Sequence, residues 1–243
     1  MTKFLCVILS IVAFMPIARA ENPACVASDK PCLMKQLEAT AATIENEKWK
    51  DKTYRELAKS YTYEGMEEDA IRLITKVQNA DTKAMTIRGI GFAAADSKWS
   101  DKARYDALFE KLHTEAAKID HAPSHGIALT YIAMAQAFAG DDAGATETAK
   151  GMTNDALRHK AFGESAEIQA ERGDFDAAMA SIAHIDSLPF RNKAHRIISK
   201  IFVQKDMIDE AYDAAMKIDN AYMQAEAVQF ILNADNPEEN AGQ

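Results

Sequence analysis

Apolar residues recur along this chain at helical spacing, and no stretch sustains the alternation of Val, Ile, Thr and aromatic residues that marks a strand. Over 33–47, LMKQLEATAATIENE puts Leu33, Leu37, Ala41 and Ile44 on one helical face. A polar turn containing Trp49 and Asp51 is expected next. The pattern then predicts helices in pairs: 53–64 with 67–78, 83–96 with 101–119, 124–139 with 143–152, 156–172 with 175–185, and 191–205 with 208–218. A last helix is expected over 221–233, followed by a polar tail, 236–243, expected to be disordered. The plainest example of a pair junction is 171–186, ERGDFDAAMASIAHID, where a Gly-Asp turn separates two helices.

The pairs share a register. The second helices carry Ala70, Ala103, Ala145, Ala178 and Ala211, separated by 33, 42, 33 and 33 residues. Twelve residues before each stands another small residue: Ala58, Gly91, Ala133, Ala166 and Ser199. Seven after comes Val77, Glu110, Met152, Ile185 or Ile218, apolar in four of the five, which closes the seam. Small residues facing one another let two helices approach closely. The nine extra residues of the long interval are assigned to the stretch between Leu112 and Ser124. Stepping back 33 from Ala70 reaches Leu37, with Ile44 seven later. The first helix is therefore expected to be the second member of an incomplete pair, and the lone helix from Ala221 to cover the other end.

On these features the chain resembles the tetratricopeptide-repeat superfamily, or a branch similar to it. The resemblance covers roughly 33–233 and rests on the paired helices, the small-x11-small-x6-apolar register, and the Gly-Asp-x-Asp-x-Ala turn of 173–178. Its interval is a residue shorter than the family's, Tyr54, Ile87, Leu129, Phe162 and His195 replace the early Trp, and only Pro189 approaches the terminal Pro. The resemblance implies an all-α fold: a right-handed α-solenoid of about five helix-turn-helix repeats with a partial repeat at each end. It also implies a concave groove lined by the first helix of each pair. HEAT-type arrays, with longer units, are the second choice.

Residues 1–20 read as a secretory signal: Lys3, an apolar run over 4–15, and a small-x-small site at Ala18-Arg19-Ala20. Pro16 and Arg19 cut the run short of a membrane span. Export, with the bacterial periplasm as the expected compartment, leaves 21–235 as one solenoid domain without a membrane span. Loss of Lys3 and Arg19 takes the net charge from -9 to -11, which argues against general nucleic-acid binding. Cys25 and Cys32 then remain, and an oxidising compartment predicts a disulfide between them at the open end of the array. A zinc site on these two thiols would have half its ligands.

The register assigns Lys52, Arg55, Lys59 and Thr62 to the groove, then Met85, Arg88, Phe92 and Ala95, and then Ile127, Thr130, Met134 and Ala137. Lys160, Gly163, Glu167 and Ala170 follow, with Lys193, Arg196, Lys200 and Val203 last. Eight of these are cations and one, Glu167, is an acid. A groove with basic ends and an apolar middle suits a peptide or protein partner with acidic or carboxylate groups, and Arg55, Lys59 and Arg88 form the expected carboxylate-gripping cluster. Solvated helix surface explains the same cations, and both readings stay open.

No nucleophile elbow, phosphate loop or zinc-protease motif is present, and no cofactor is implied. The expected function is a non-enzymatic interaction scaffold. Two alternatives remain: a metal-binding or enzymatic protein centred on 113–125, where His113, Asp120, His121 and His125 gather, or an envelope-assembly subunit binding through its convex face. Trp49 and Trp99 are expected to anchor neighbouring pairs. Gly89 and Gly163 lie inside helices at a cost of about 1 kcal/mol each. At Gly163 the missing side chain opens space for a ligand or permits close packing.

Overall fold

The computed structural model describes residues 25–236. The expected signal segment, and residues 237–243 of the expected tail, lie outside the described residues. Twelve α-helices and no strand are found among the described residues. They are α1 (Lys30–Ala42), α2 (Glu47–Tyr63), α3 (Glu67–Ile74), α4 (Ala80–Asp96), α5 (Lys102–Ala116), α6 (Ala122–Phe138), α7 (Asp142–Lys150), α8 (Asp155–Glu171), α9 (Phe175–Ala183), α10 (Leu188–Gln204), α11 (Ile208–Ala215) and α12 (Ala221–Leu232).

Packing follows chain order. Each of α2, α4, α6, α8 and α10 lies against the helix that follows it, and these five, with α12, stack consecutively on one another. All five are 17 residues long. Their starts are set by the N-caps Asn46, Asn79, His121, Asn154 and Ser187, and Asn220 begins α12. The four Asn side chains accept the backbone N–H three residues on, satisfying one of the donors a helix leaves open. The helices therefore begin earlier than apolar spacing predicts. Trp49 and Asp51 are not in a turn but in the first turns of α2, because Asn46 caps that helix.

Each turn inside a pair places one residue at positive φ: Gly65, Lys98, Gly140, Gly173 and Asp206. This is the left-handed cap that reverses the chain after a helix, most easily adopted by Gly. Polar side chains buried at the pair seams repeat the spacing of twelve. Thr148 donates to Gln136 (2.7 Å), Ser181 to Gln169 (2.7 Å), and Ser199 to the Ala211 carbonyl (2.8 Å). Between neighbouring pairs, the buried Asp51 carboxylate accepts the backbone N–H groups of Gln78 (3.0 Å) and Asn79 (2.8 Å). Asn192 does the same for Asp219 (3.0 Å).

Ala58, Gly91, Ala133, Ala166 and Ser199 are all buried, as are Ala70, Ala145, Ala178 and Ala211. Ala103 and Glu110 are exposed, and this corrects the placement of the nine extra residues. The link from α5 to α6 has ordinary length, whereas the turn from α4 to α5 is longer than the others and α5 itself has 15 residues. The residues buried at the end of α5 and just after it, Leu112, Ala116 and Ile119, are in register with Ala145, Ala149 and Met152 of the next pair. The insertion thus lies between Lys98 and Leu112, not at the histidines. Its residues brace α5: the Arg104 guanidinium lies 3.8 Å from the centroid of the Trp99 ring, Tyr105 packs on Trp99, and Arg104 pairs with Glu67 of α3.

Trp99 is thus packed on α5 of its own pair rather than between neighbouring pairs, and Trp49 is 56% exposed, with Lys52 over its ring. At the N-terminal end, Cys25 and Cys32 form a disulfide. Leu37 of α1 is exposed, and α1 buries Met34 and Ala41 instead. The ladder position faces outward there because no described helix precedes α1 to cover it.

A Cβ built on Gly91 would meet the Ala135 Cβ at 2.7 Å, whereas one on Gly89 would meet the nearest side-chain atom at 3.8 Å. Two alanines placed half a turn apart on α4 should therefore act oppositely in urea denaturation. Gly91→Ala should destabilise the protein by about 1–3 kcal/mol through overpacking, and Gly89→Ala should stabilise it by about 0.5–1 kcal/mol through helix propensity.

Candidate functional site

The exposed side of α2 and α4, extended by the end of α6, encloses a cavity of about 330 Å³. Arg55 and Lys59 line it from α2, and Met85, Arg88 and Phe92 from α4. These five belong to the predicted groove stripe and are one helical turn apart on adjacent parallel helices, which is why they converge. Gly89 lies in the same wall, and Tyr63, Glu56, Asp96 and Phe138 complete it. These were missed by the sequence reading because the stripe took one residue per turn and left out its immediate neighbours.

Charge is distributed unevenly in this cavity. Arg55 is occupied by Glu56, with Nε at 2.9 Å and Nη2 at 2.7 Å from the same carboxylate oxygen. The Tyr63 hydroxyl donates to Asp96 at 3.2 Å. Arg88 and Lys59 have no carboxylate partner among the described residues. The Arg88 guanidinium lies 4.8 Å from the Phe92 centroid and 5.5 Å from that of Tyr131, and the Lys59 ammonium 5.7 Å from that of Tyr63. Ring faces attract a cation without using its hydrogen-bond donors. Phe92 is itself backed by Phe138, at 5.7 Å between centroids.

The rest of the stripe is divided. Thr62, Ala95, Ala137 and Ala170, in the last turns of their helices, are buried and do not reach the surface, and neither does Thr130 in the middle of α6. Met134 is half-buried on α6. Arg196 pairs with Glu226 of α12 at 3.1 Å, and Lys200 lies over the Phe230 ring at 5.0 Å, so these two are engaged by the terminal helix. Lys160 and Lys193 share a smaller recess of about 200 Å³ with Glu164, Glu167, Gly163 and Phe190. A Cβ on Gly163 would meet Ala194 only at 4.0 Å, so close packing does not require glycine there and its bare backbone opens the recess. The nearly all-cationic stripe is therefore corrected: Glu56, Asp96 and Glu164 lie on the same surface, one residue to the side of the positions counted.

The histidines of 113–125 do not converge. His113 Nε2 meets Thr148 Oγ1 at 3.0 Å, His121 Nδ1 meets Ser124 Oγ at 2.6 Å, and His125 lines a separate recess with Pro123 and Met152. Ser124 also donates to Asp81. This joins Asp81, Ser124 and His121, but Ser124 is wholly buried and its oxygen faces both partners, so the group ties α4 to the start of α6. No group of three His, Cys, Asp or Glu residues able to hold a metal ion occurs among the described residues. His195, at the early-Trp position of α10, is buried with Nδ1 unpartnered, and burial followed by the charge of Arg191 pushes its pKa down to about 4.

No family model matches the chain, and no curated protein matches it. Among solved structures it is similar to Ton1535 from Thermococcus onnurineus NA1, with 13% identity, 83% of this chain and 84% of that chain covered, and a TM-score of 0.25. A likeness at that score supports no inference about fold or function.

Burial, and then the neighbouring Glu164 charge, push the Glu167 carboxyl up to about 7 against the pull of Lys193 and Lys160. The folded protein therefore holds this proton more tightly than the unfolded chain, and its stability falls as pH rises from the ordinary carboxylate range through about 7. Glu167→Gln should remove that loss. Denaturation midpoints should show the variant gaining on the wild type between pH 5 and pH 8, by on the order of 1 kcal/mol once solvent screening is allowed for.

Proposed function

We propose that this chain is an exported right-handed α-solenoid of the tetratricopeptide-repeat type, with about five helix pairs, and that it acts as a non-enzymatic scaffold. In this reading a peptide or protein partner with acidic groups lies along the face formed by the first helices. The observation that carries the reading is the cavity between α2 and α4, where Arg88 and Lys59 are held by aromatic rings while no carboxylate among the described residues occupies their donors. A ligand carboxylate can take both donors without displacing an internal ion pair, and Phe92, Met85 and Phe138 supply apolar contact beside it.

The equal first helices, the recurring N-caps and positive-φ turns, and the neighbour-to-neighbour packing support the repeat architecture. The disulfide between Cys25 and Cys32 fits an oxidising compartment. Among the described residues no helix is long and apolar enough to cross a membrane.

Fluorescence anisotropy with a panel of acidic peptides and their amide counterparts tests the groove. Acidic peptides should bind and their Gln/Asn versions should bind at least tenfold more weakly, a difference of about 1.4 kcal/mol. Arg88→Glu should weaken the acidic peptides by a similar factor while circular dichroism stays unchanged. Equal binding of acidic and amide peptides, or an unaffected variant, would count against the groove.

A further inference from the structure

The two ends of the helix array are unfinished in complementary ways. Within the pairs, the ladder residues of the first helices are buried, Ser199 being fully so. One interval beyond Ser199 stands Leu232 on α12, and it is 70% exposed. One interval before Ala70 stands Leu37 on α1, 43% exposed where Ala70 is fully buried. In spacing, α12 is a first helix with no second helix after it among the described residues, and α1 a second helix with no described first helix before it. Other apolar residues agree: Tyr212 of α11 occupies the position of the buried Ile71 on α3, yet is 49% exposed because no described second helix follows α11.

We propose that these ends join head to tail: α1 of a second copy of this chain packs against α11 and α12 and completes a composite helix pair in which Leu37 and Leu232 are covered. Electrostatics supports a second copy as the occupant. At the first two junctions between neighbouring second helices, the tie runs from an acid on the earlier to a base on the later: Glu38 of α1 to Arg72 of α3, and Glu67 and Glu68 of α3 to Arg104 and Lys111 of α5. At the C-terminal end, α11 presents Asp209, Glu210 and Asp213, none in an ion pair among the described residues. At the N-terminal end, Lys35 on α1 is likewise without one. The earlier-acid, later-base order is therefore preserved across the proposed junction. The stretch 233–243, NADNPEENAGQ, has no large apolar side chain with which to cover Leu232 itself.

A head-to-tail contact uses two different surfaces, so the assembly keeps one free end at each terminus until the array closes or stops. Leu37→Glu and Leu232→Glu each block one surface, and both sites are exposed, so the fold should tolerate them. Sedimentation and light scattering from micromolar to millimolar protein should show the wild-type mass rising to at least twice that of one chain, with each variant remaining a monomer. An equimolar mixture of the two variants should give a dimer that does not extend, because one intact Leu37 end meets one intact Leu232 end. A wild type that is monomeric at every concentration overturns the proposal, leaving the ends to the chain's own terminal segments or to another protein. So does self-association of either variant alone, which would indicate pairing of like ends, or a mixture that stays monomeric. The proposal rests on the repeat reading but not on the groove: Arg88→Glu should leave the mass unchanged, so failure of one leaves the other standing.

Discussion

The close approach of two helices at a small residue is the contact on which the rest of this molecule depends. Ser199 and Ala211 show it directly, since the Ser199 hydroxyl reaches the Ala211 carbonyl across the seam at 2.8 Å. At Gly91 the neighbouring α6 comes so near that even a methyl group would collide with Ala135. Because such seams recur, each helix is held mainly by the helices next to it and next but one along the chain. One consequence is that the first helices line up with one side free. Another is that a helix with a missing neighbour, at either end, leaves its ladder position in solvent.

Where spacing was enforced by burial, the sequence could be read well. The helix pairs and the buried ladder, Ala103 excepted, follow from residue type and interval, and the Cys25–Cys32 disulfide from the expected oxidising compartment. Helix starts were less legible because Asn46, Asn79 and Asn154 act through a side-chain oxygen on a backbone N–H, which apolar periodicity does not register. The Asn residues nevertheless recur at the ladder interval, so a search for polar periodicity would have found them. The insertion was misplaced for a similar reason. Ala103 satisfied the small-residue pattern by residue type alone, while the phase of α5 was set by Leu112, Ala116 and Ile119.

The candidate site was legible in part. Arg55, Lys59, Arg88 and Phe92 do share a cavity, since adjacent first helices bring equivalent turns together. The sequence could not indicate which cations are already engaged. Arg55 is held by its neighbour Glu56, and Arg196 and Lys200 by α12, whereas Arg88 rests between Phe92 and Tyr131. The distinction depends on rotamers and on contacts between helices far apart in sequence. It reduces a long basic stripe to a compact site backed by rings, with Lys160 and Lys193 in a recess whose charge is balanced by Glu164 and Glu167.

The proposed partner lies on the first-helix face beside Arg88. A photoreactive phenylalanine analogue at Phe138, on the rim of that cavity, tests this in cells that make the protein, with the same group at the exposed Lys150 on α7 as the comparison. Irradiation and mass spectrometry should identify a partner crosslinked through position 138 and absent at position 150. A partner captured at 150 and not at 138 would place binding on the second-helix face and contradict the account.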